Sequence, residues 1–165
     1  MPESGKIVIN TGPLIALVAG IGDLKFLGDV YTSIIVPYEV SKEILEENAT
    51  RFGAKQFQSA KWIDKRKKPT KLNPFLKNTL DTGEASVIQL ALDENIRTVC
   101  IDEALGRRLA RLSGLKVTGS LGILLKAKKN GIPINISQAI KNMRKNGIWL
   151  NKELEKLVIK KAEEM

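Results

Sequence analysis

The stretch Lys6-Ile-Val-Ile-Asn10-Thr-Gly-Pro13 decides the fold class. Three β-branched residues in a row suit a strand buried on both faces, as in the middle of a parallel sheet. Asn10 ends the run with a turn signal. Thr11-Gly12-Pro13 then opens a helix, with Pro13 near its first position, where a missing N–H costs little. A buried strand that feeds straight into a helix is the first half of a β–α unit.

The same alternation continues downstream. Ser33-Ile-Ile-Val36 reads as a second strand, and Pro37 opens a helix with Val40, Ile44 and Leu45 apolar and acids between them. Thr98-Val-Cys-Ile101 reads as a third strand, followed at once by a helix over Glu103–Leu112. Val117 sits in a brief strand, and a helix covers Leu121–Lys129. Between the second and third strands the sequence predicts helices over Arg51–Ala60 and Phe75–Leu80. Another begins at Asp81-Thr-Gly-Glu84 and aligns Ala85, Ile88, Ala91 and Leu92 on one face. A short helix is expected over Gly22–Gly28. The basic run Lys65-Arg-Lys-Lys68, with Pro69 and Lys71 behind it, reads as an exposed loop between two helices. Helices over Ser137–Lys145, closed by Asn146-Gly147, and from Asn151 onward end the chain. Strands alternating with helices define an α/β domain around a parallel sheet. The expectation is a single domain over 1–165, helical from about 121.

Composition narrows the chemistry. The 165 residues are 43% hydrophobic and only 5% aromatic, so the core is built from aliphatic side chains. No apolar run approaches the ~18–20 residues that span a bilayer, and the N-terminus does not read as a signal peptide. The expectation is therefore a soluble cytoplasmic protein with no membrane partner. Histidine is absent and Cys100 is the one cysteine. This excludes Ser-His-Asp and Cys-His pairs, His-based zinc and four-cysteine metal sites. Cys100, between β-branched and apolar neighbours, reads as a core residue. Carboxylates, lysine, tyrosine and hard metals held through oxygen remain. The net charge of +9 favours an anionic partner, nucleic acid first.

In open α/β sheets, sites form in the crevice beyond the carboxyl ends of the strands. Asn10 and Asp102 stand at two such ends. Asp102-Glu103 is either a helix start, since Asp caps well and Glu stabilises a first turn, or a pair of ligands. Glu84 lies three residues after Asp81 in capping-box spacing, and Gly83 between them suggests a close approach. Glu43 is either a solvated helix residue or an acid aimed at the same crevice. Asn10 is either a turn former or a ligand.

Taken in order, Asn10-Thr-Gly-Pro-Leu-Ile15, Val40-x-x-Glu43-Ile44, Gly83-Glu84-Ala85, Ile101-Asp102-Glu103 and Gly106-Arg-Arg-x-Ala110 resemble the PIN-domain family. The tail motifs Val117-Thr-Gly-Ser-Leu-Gly-Ile-Leu-Leu125 and Gly147-Ile-Trp-Leu150 extend the resemblance over nearly the whole chain. It implies a three-layer α/β/α fold with about four to five parallel strands. It also implies a four-acid, Mg²⁺- or Mn²⁺-dependent ribonuclease site, in which Asn10, Glu43, Glu84 and Asp102 match the acids and Glu103 a further acid that often follows. Many relatives are toxins held inactive by a small antitoxin protein, and many pair as homodimers. This sequence departs from the pattern at its first motif, where Asn10 replaces an Asp and Gly12 a Ser. A neutral carbonyl in place of a carboxylate removes one negative charge and lowers metal affinity. A second reading is therefore a catalytically silent PIN-like domain that binds RNA or a partner protein. For RNA, Arg107 and Arg111 share a helix face near Asp102, and Arg108 adjoins them. Lys67 and Lys68 in the basic loop, and Lys126, Lys128 and Lys129, extend the basic track. The apolar face of the last helix, Leu154, Leu157 and Val158, is expected to pack in the core, with a dimer interface as the alternative.

Overall fold

A computed structural model describes residues 5–46 and 52–163. Lys6–Ile9 forms β1, with every residue after Lys6 buried. It is followed by α1 (Thr11–Ile21), α2 (Leu27–Val30) and β2 (Ser33–Val36). Then come α3 (Tyr38–Leu45), α4 (Ala54–Ser59) and β3 (Ile63–Lys65). The second half holds α5 (Pro74–Thr79), α6 (Thr82–Asp93), β4 (Thr98–Cys100), α7 (Ala104–Leu112) and β5 (Lys116–Thr118). Three helices, α8 (Ser120–Lys129), α9 (Ile136–Lys145) and α10 (Lys152–Lys161), complete it.

The strands form one parallel sheet in the order β3-β2-β1-β4-β5, so the first run read from the sequence is the central strand. Val8 pairs with Ile35 on one side and Val99 on the other. The chain winds outward from β1 to β3, then crosses to β4 and winds the other way. The direction reverses between β1 and β4, and a crevice opens at such a reversal. Right-handed crossovers put α6 and α7 on one face. On the other, α1 packs against α8 and α9, and α10 rests on both of these. Helix α3 touches both α1 and α6, so it closes one end of the crevice. One core runs from Ile7 to Val158, made of aliphatic residues with few aromatics. Cys100 is fully buried within it, and burial pushes its thiol well above the usual range.

Four expectations need correction. Ile63–Lys65 is a strand, not the start of a loop. It is short, at the sheet edge, with Asp64 exposed, and charges on an edge strand hide its periodicity while discouraging edge-to-edge pairing. Thr98–Cys100 is thus the fourth strand. The short helix expected over Gly22–Gly28 forms later, at Leu27–Val30, because Gly22 ends α1 with φ of 102°. Leu92 on α6 is 40% exposed, although Ala85, Ile88 and Ala91 are buried as expected. Leu154 and Leu157 are about half exposed, and only Val158 of that trio enters the core. The expected start of α4 at Arg51 lies outside the described residues.

Candidate active site

The ends of β1 and β4 deliver the first residues of the site. Asn10 follows β1 directly. Its backbone N–H donates to the Cys100 carbonyl at 3.1 Å, which ties the two strand ends together. The side chain is buried, and its Oδ1 has no hydrogen-bond partner. Thr11, also buried, turns inward and donates from Oγ1 to Glu43 Oε1 at 3.0 Å. This bond joins the first turn of α1 to α3 and holds a carboxylate over the crevice.

Helix α6 brings a third segment. Asp81 caps it, accepting from the Glu84 N–H at 2.8 Å, so the capping role is real. The cap does not exhaust Asp81, which also faces the cleft. A Cβ on Gly83 would stand 3.0 Å from Glu43 Oε1, 3.2 Å from Asn10 Oδ1 and 3.5 Å from Asp81 Oδ1. Three oxygens from three chain segments therefore converge on one point that only a glycine leaves open. Asp81 was not among the residues singled out from the sequence, because its capping-box position already explained it.

Glu84 sits below this convergence, 6% exposed, with Oε1 lacking a partner. A Cβ on Gly106 of α7 would fall 2.5 Å from that oxygen, so α7 closes over it. Burial, then the hydrogen bond and charge of Asp81, then the charges of Glu103 and Glu43 raise the Glu84 pKa to about 8. Asp102 lies across the cleft. Its Oδ1 accepts from the Ser120 N–H at the start of α8, at 2.9 Å. Partial enclosure raises its pKa, opposed by Ser120 and by Arg107. Arg107 is itself tied down, donating from Nη1 to the Ile101 carbonyl at 2.9 Å.

One cleft of about 1160 Å³ is lined by Asn10, Thr11, Glu43, Asp81, Asp102 and Glu103, with Arg107 and Arg111 on the same wall. Glu84 is beneath its floor rather than on it. Arg108 is exposed and does not line the cleft. Lys67 and Lys68 are exposed on the loop after β3, across the sheet from Arg107. Lys126 departs from the expected track: it borders a separate hollow with Tyr31, Arg97 and Lys116, and its ammonium lies 4.5 Å from the Tyr31 ring centroid. That hollow adjoins the starting ends of β4 and β5, opposite the cleft, because α8 runs back along the sheet.

The donor set suits a hard cation: it is all oxygen, it includes the orphaned buried Oδ1 of Asn10, and its carboxylates crowd the buried Glu84 beneath them. Among the described residues, no three Asp, Glu or Cys side chains stand close enough together to enclose an ion. Neutral Asn10 and the engagement of Asp102 with Ser120 account for part of this. A cation would be held by Glu43 and Asp81 beside Asn10, with Asp102 and Glu103 facing them.

This is an α/β domain with acids gathered at the switch point of a parallel sheet, where such folds place their sites. The PIN-domain family model matches residues 6–164, and the chain belongs to the PIN-domain family. No curated protein and no solved structure matches the chain significantly. PIN domains are a nuclease-type fold and are generally dependent on a divalent metal. No helix among the described residues is long and apolar enough to cross a membrane.

Proposed function

We propose that this protein is a PIN-type endoribonuclease dependent on Mg²⁺ or Mn²⁺. The observation that carries the reading is the convergence of Asn10, Glu43 and Asp81 at Gly83, with Asp102 and Glu103 on the same cleft. A bound cation would supply an activated water and offset charge on the scissile phosphate. Thr11 keeps Glu43 aimed inward, and Ser120 fixes Asp102. Glu84, with its pKa raised to about 8, holds a proton near neutrality beside these acids, and a bound cation would favour its charged form. Arg107 and Arg111 attract the phosphate backbone without regard to sequence.

A second reading has its own support. Asn10 is neutral, and among the described residues no three acids are close enough to chelate. On that reading the domain binds RNA or a protein and does not cleave. Cleavage of a labelled RNA in Mn²⁺ or Mg²⁺ separates the two. Activity in the wild type that is lost in Asp102→Asn and raised in Asn10→Asp supports the enzyme. Silence in the wild type with activity gained in Asn10→Asp supports the second reading. The enzyme reading extends to a toxin restrained by a small antitoxin protein, which requires growth arrest on induction that Asp102→Asn abolishes.

A further inference from the structure

The wall of the cleft away from the acids is apolar and open. It is built by the segment between α9 and α10 and by α10 itself: Ile148, Trp149, Leu150, Leu154 and Leu157. Trp149 is 83% exposed, more than any other large apolar side chain described. An indole so exposed has no packing role in the fold. It contrasts with Trp62, which is off the cleft and donates from Nε1 to the Leu24 carbonyl at 3.0 Å.

The same cleft is lined by the cations Arg107, Arg111 and Lys161. An apolar surface interleaved with cations is complementary to a polymer that carries phosphates on one side and π-faces on the other. The volume of about 1160 Å³ exceeds the roughly 300–1,000 Å³ of pockets that enclose a small molecule. An apolar helix from a protein partner would meet the apolar wall but leave these cations without complement, whereas the phosphates of an RNA meet them directly.

We infer that Trp149 is a base-stacking platform, which seats an unpaired nucleobase next to the phosphate that the acids address. This deepens the ribonuclease reading and rests on it. Stacking needs a free π-face, so a base held in a duplex is refused and one in a single strand is accepted. Arg107 and Arg111 then hold the flanking phosphates, and Trp149 sets which linkage lies over Asn10 and Glu43.

The test is binding of a short oligouridylate to the full chain in EDTA, where no cleavage occurs. Quenching of tryptophan fluorescence is expected in the wild type and lost in Trp149→Phe, which keeps an aromatic face but removes the reporter. Trp149→Ala should weaken binding by about 5- to 150-fold, the range for one stacked base. Its salt dependence should match the wild type, since stacking releases no counterions, whereas Arg111→Ala should lower the salt slope by about one unit. The same RNA annealed to its complement should bind without quenching. Wild-type affinity in Trp149→Ala overturns the inference. So does iodide quenching that finds Trp149 shielded in the RNA-free chain, with sedimentation showing a dimer or a bound protein at the concentrations used. The two ideas fail separately: cleavage with no role for Trp149 sinks only the platform, and stacking without cleavage in any metal sinks only the nuclease.

Discussion

Replacing Glu84 by Gln isolates the electrostatic strain of the site. In the unfolded chain this carboxyl titrates near 4.5, and in the folded protein near 8. Between those values the unfolded state has released its proton and the folded state still holds it. Folding then takes up a proton, so the stability of the wild type falls as pH rises through this window. Below pH 4.5 both states are protonated and the penalty vanishes; above pH 8 it is complete. The ceiling is the full shift at 1.36 kcal/mol per unit, about 5 kcal/mol, and relaxation of the folded site around the charged carboxylate reduces it, giving roughly 2–5 kcal/mol. Gln has nearly the same shape and its amide can still donate to Asp81, but it does not ionise. Urea denaturation without divalent cations, followed by circular dichroism at pH 5 and pH 9, is the assay. The variant and the wild type should be close at pH 5, with the variant more stable by that margin at pH 9. Added Mg²⁺ should narrow the gap, because a cation favours the deprotonated wild-type carboxylate. A constant gap from pH 5 to pH 9 would refute the reasoning, since it would mean that Glu84 titrates normally in the folded protein.

Three further outcomes follow from packing and capping. Gly106→Ala places a methyl 2.5 Å from Glu84 Oε1 and 3.0 Å from Ile101 Cγ2, and should destabilise by about 1–3 kcal/mol; Gly12→Ala, with open space around it, should be neutral or slightly stabilising in the same melts. Asn151 accepts from the N–H groups of Glu153 and Leu154, so Asn151→Ala should cost about 1 kcal/mol in chemical denaturation by fraying the start of α10.

Periodicity exposed most of the architecture because the central strands are buried on both faces and their helices start at clear signals. Ile7-Val-Ile9 and Ile34-Ile-Val36 are continuous apolar runs, and Pro37 and Asp81 mark the helix starts. The edge strand β3 lacked that signal, because its exposed positions carry charge. The site was legible where a strand end supplied the residue, as for Asn10 and Asp102. It was less legible on helices, where one residue does two jobs. Asp81 caps α6 and also lines the cleft, and its spacing announces only the cap. Leu154 and Leu157 were misread for a related reason: an amphipathic helix shows which face is apolar, not whether a core or an open cleft lies against it.

The departure at Asn10 has a physical counterpart in the rest of the site. Its carbonyl oxygen stands within about 6.2 Å of Glu43 Oε1, since the two lie 3.2 and 3.0 Å from the same point. A carboxylate at that position would add a charge to a cluster that already holds Glu84 protonated near neutrality, and would raise its pKa further unless a cation intervened. The neutral amide lets the folded chain tolerate its acids without a metal, and the Thr11 hydroxyl contributes by donating to Glu43. Stability without a cation and affinity for one are thus set against each other at a single residue. Asn10→Asp should move both together, lowering stability in EDTA while raising the midpoint of unfolding in saturating Mn²⁺ above that of the wild type. A variant that lost stability under both conditions would show that Asn10 serves the fold alone and that the oxygens around Gly83 do not form a cation site.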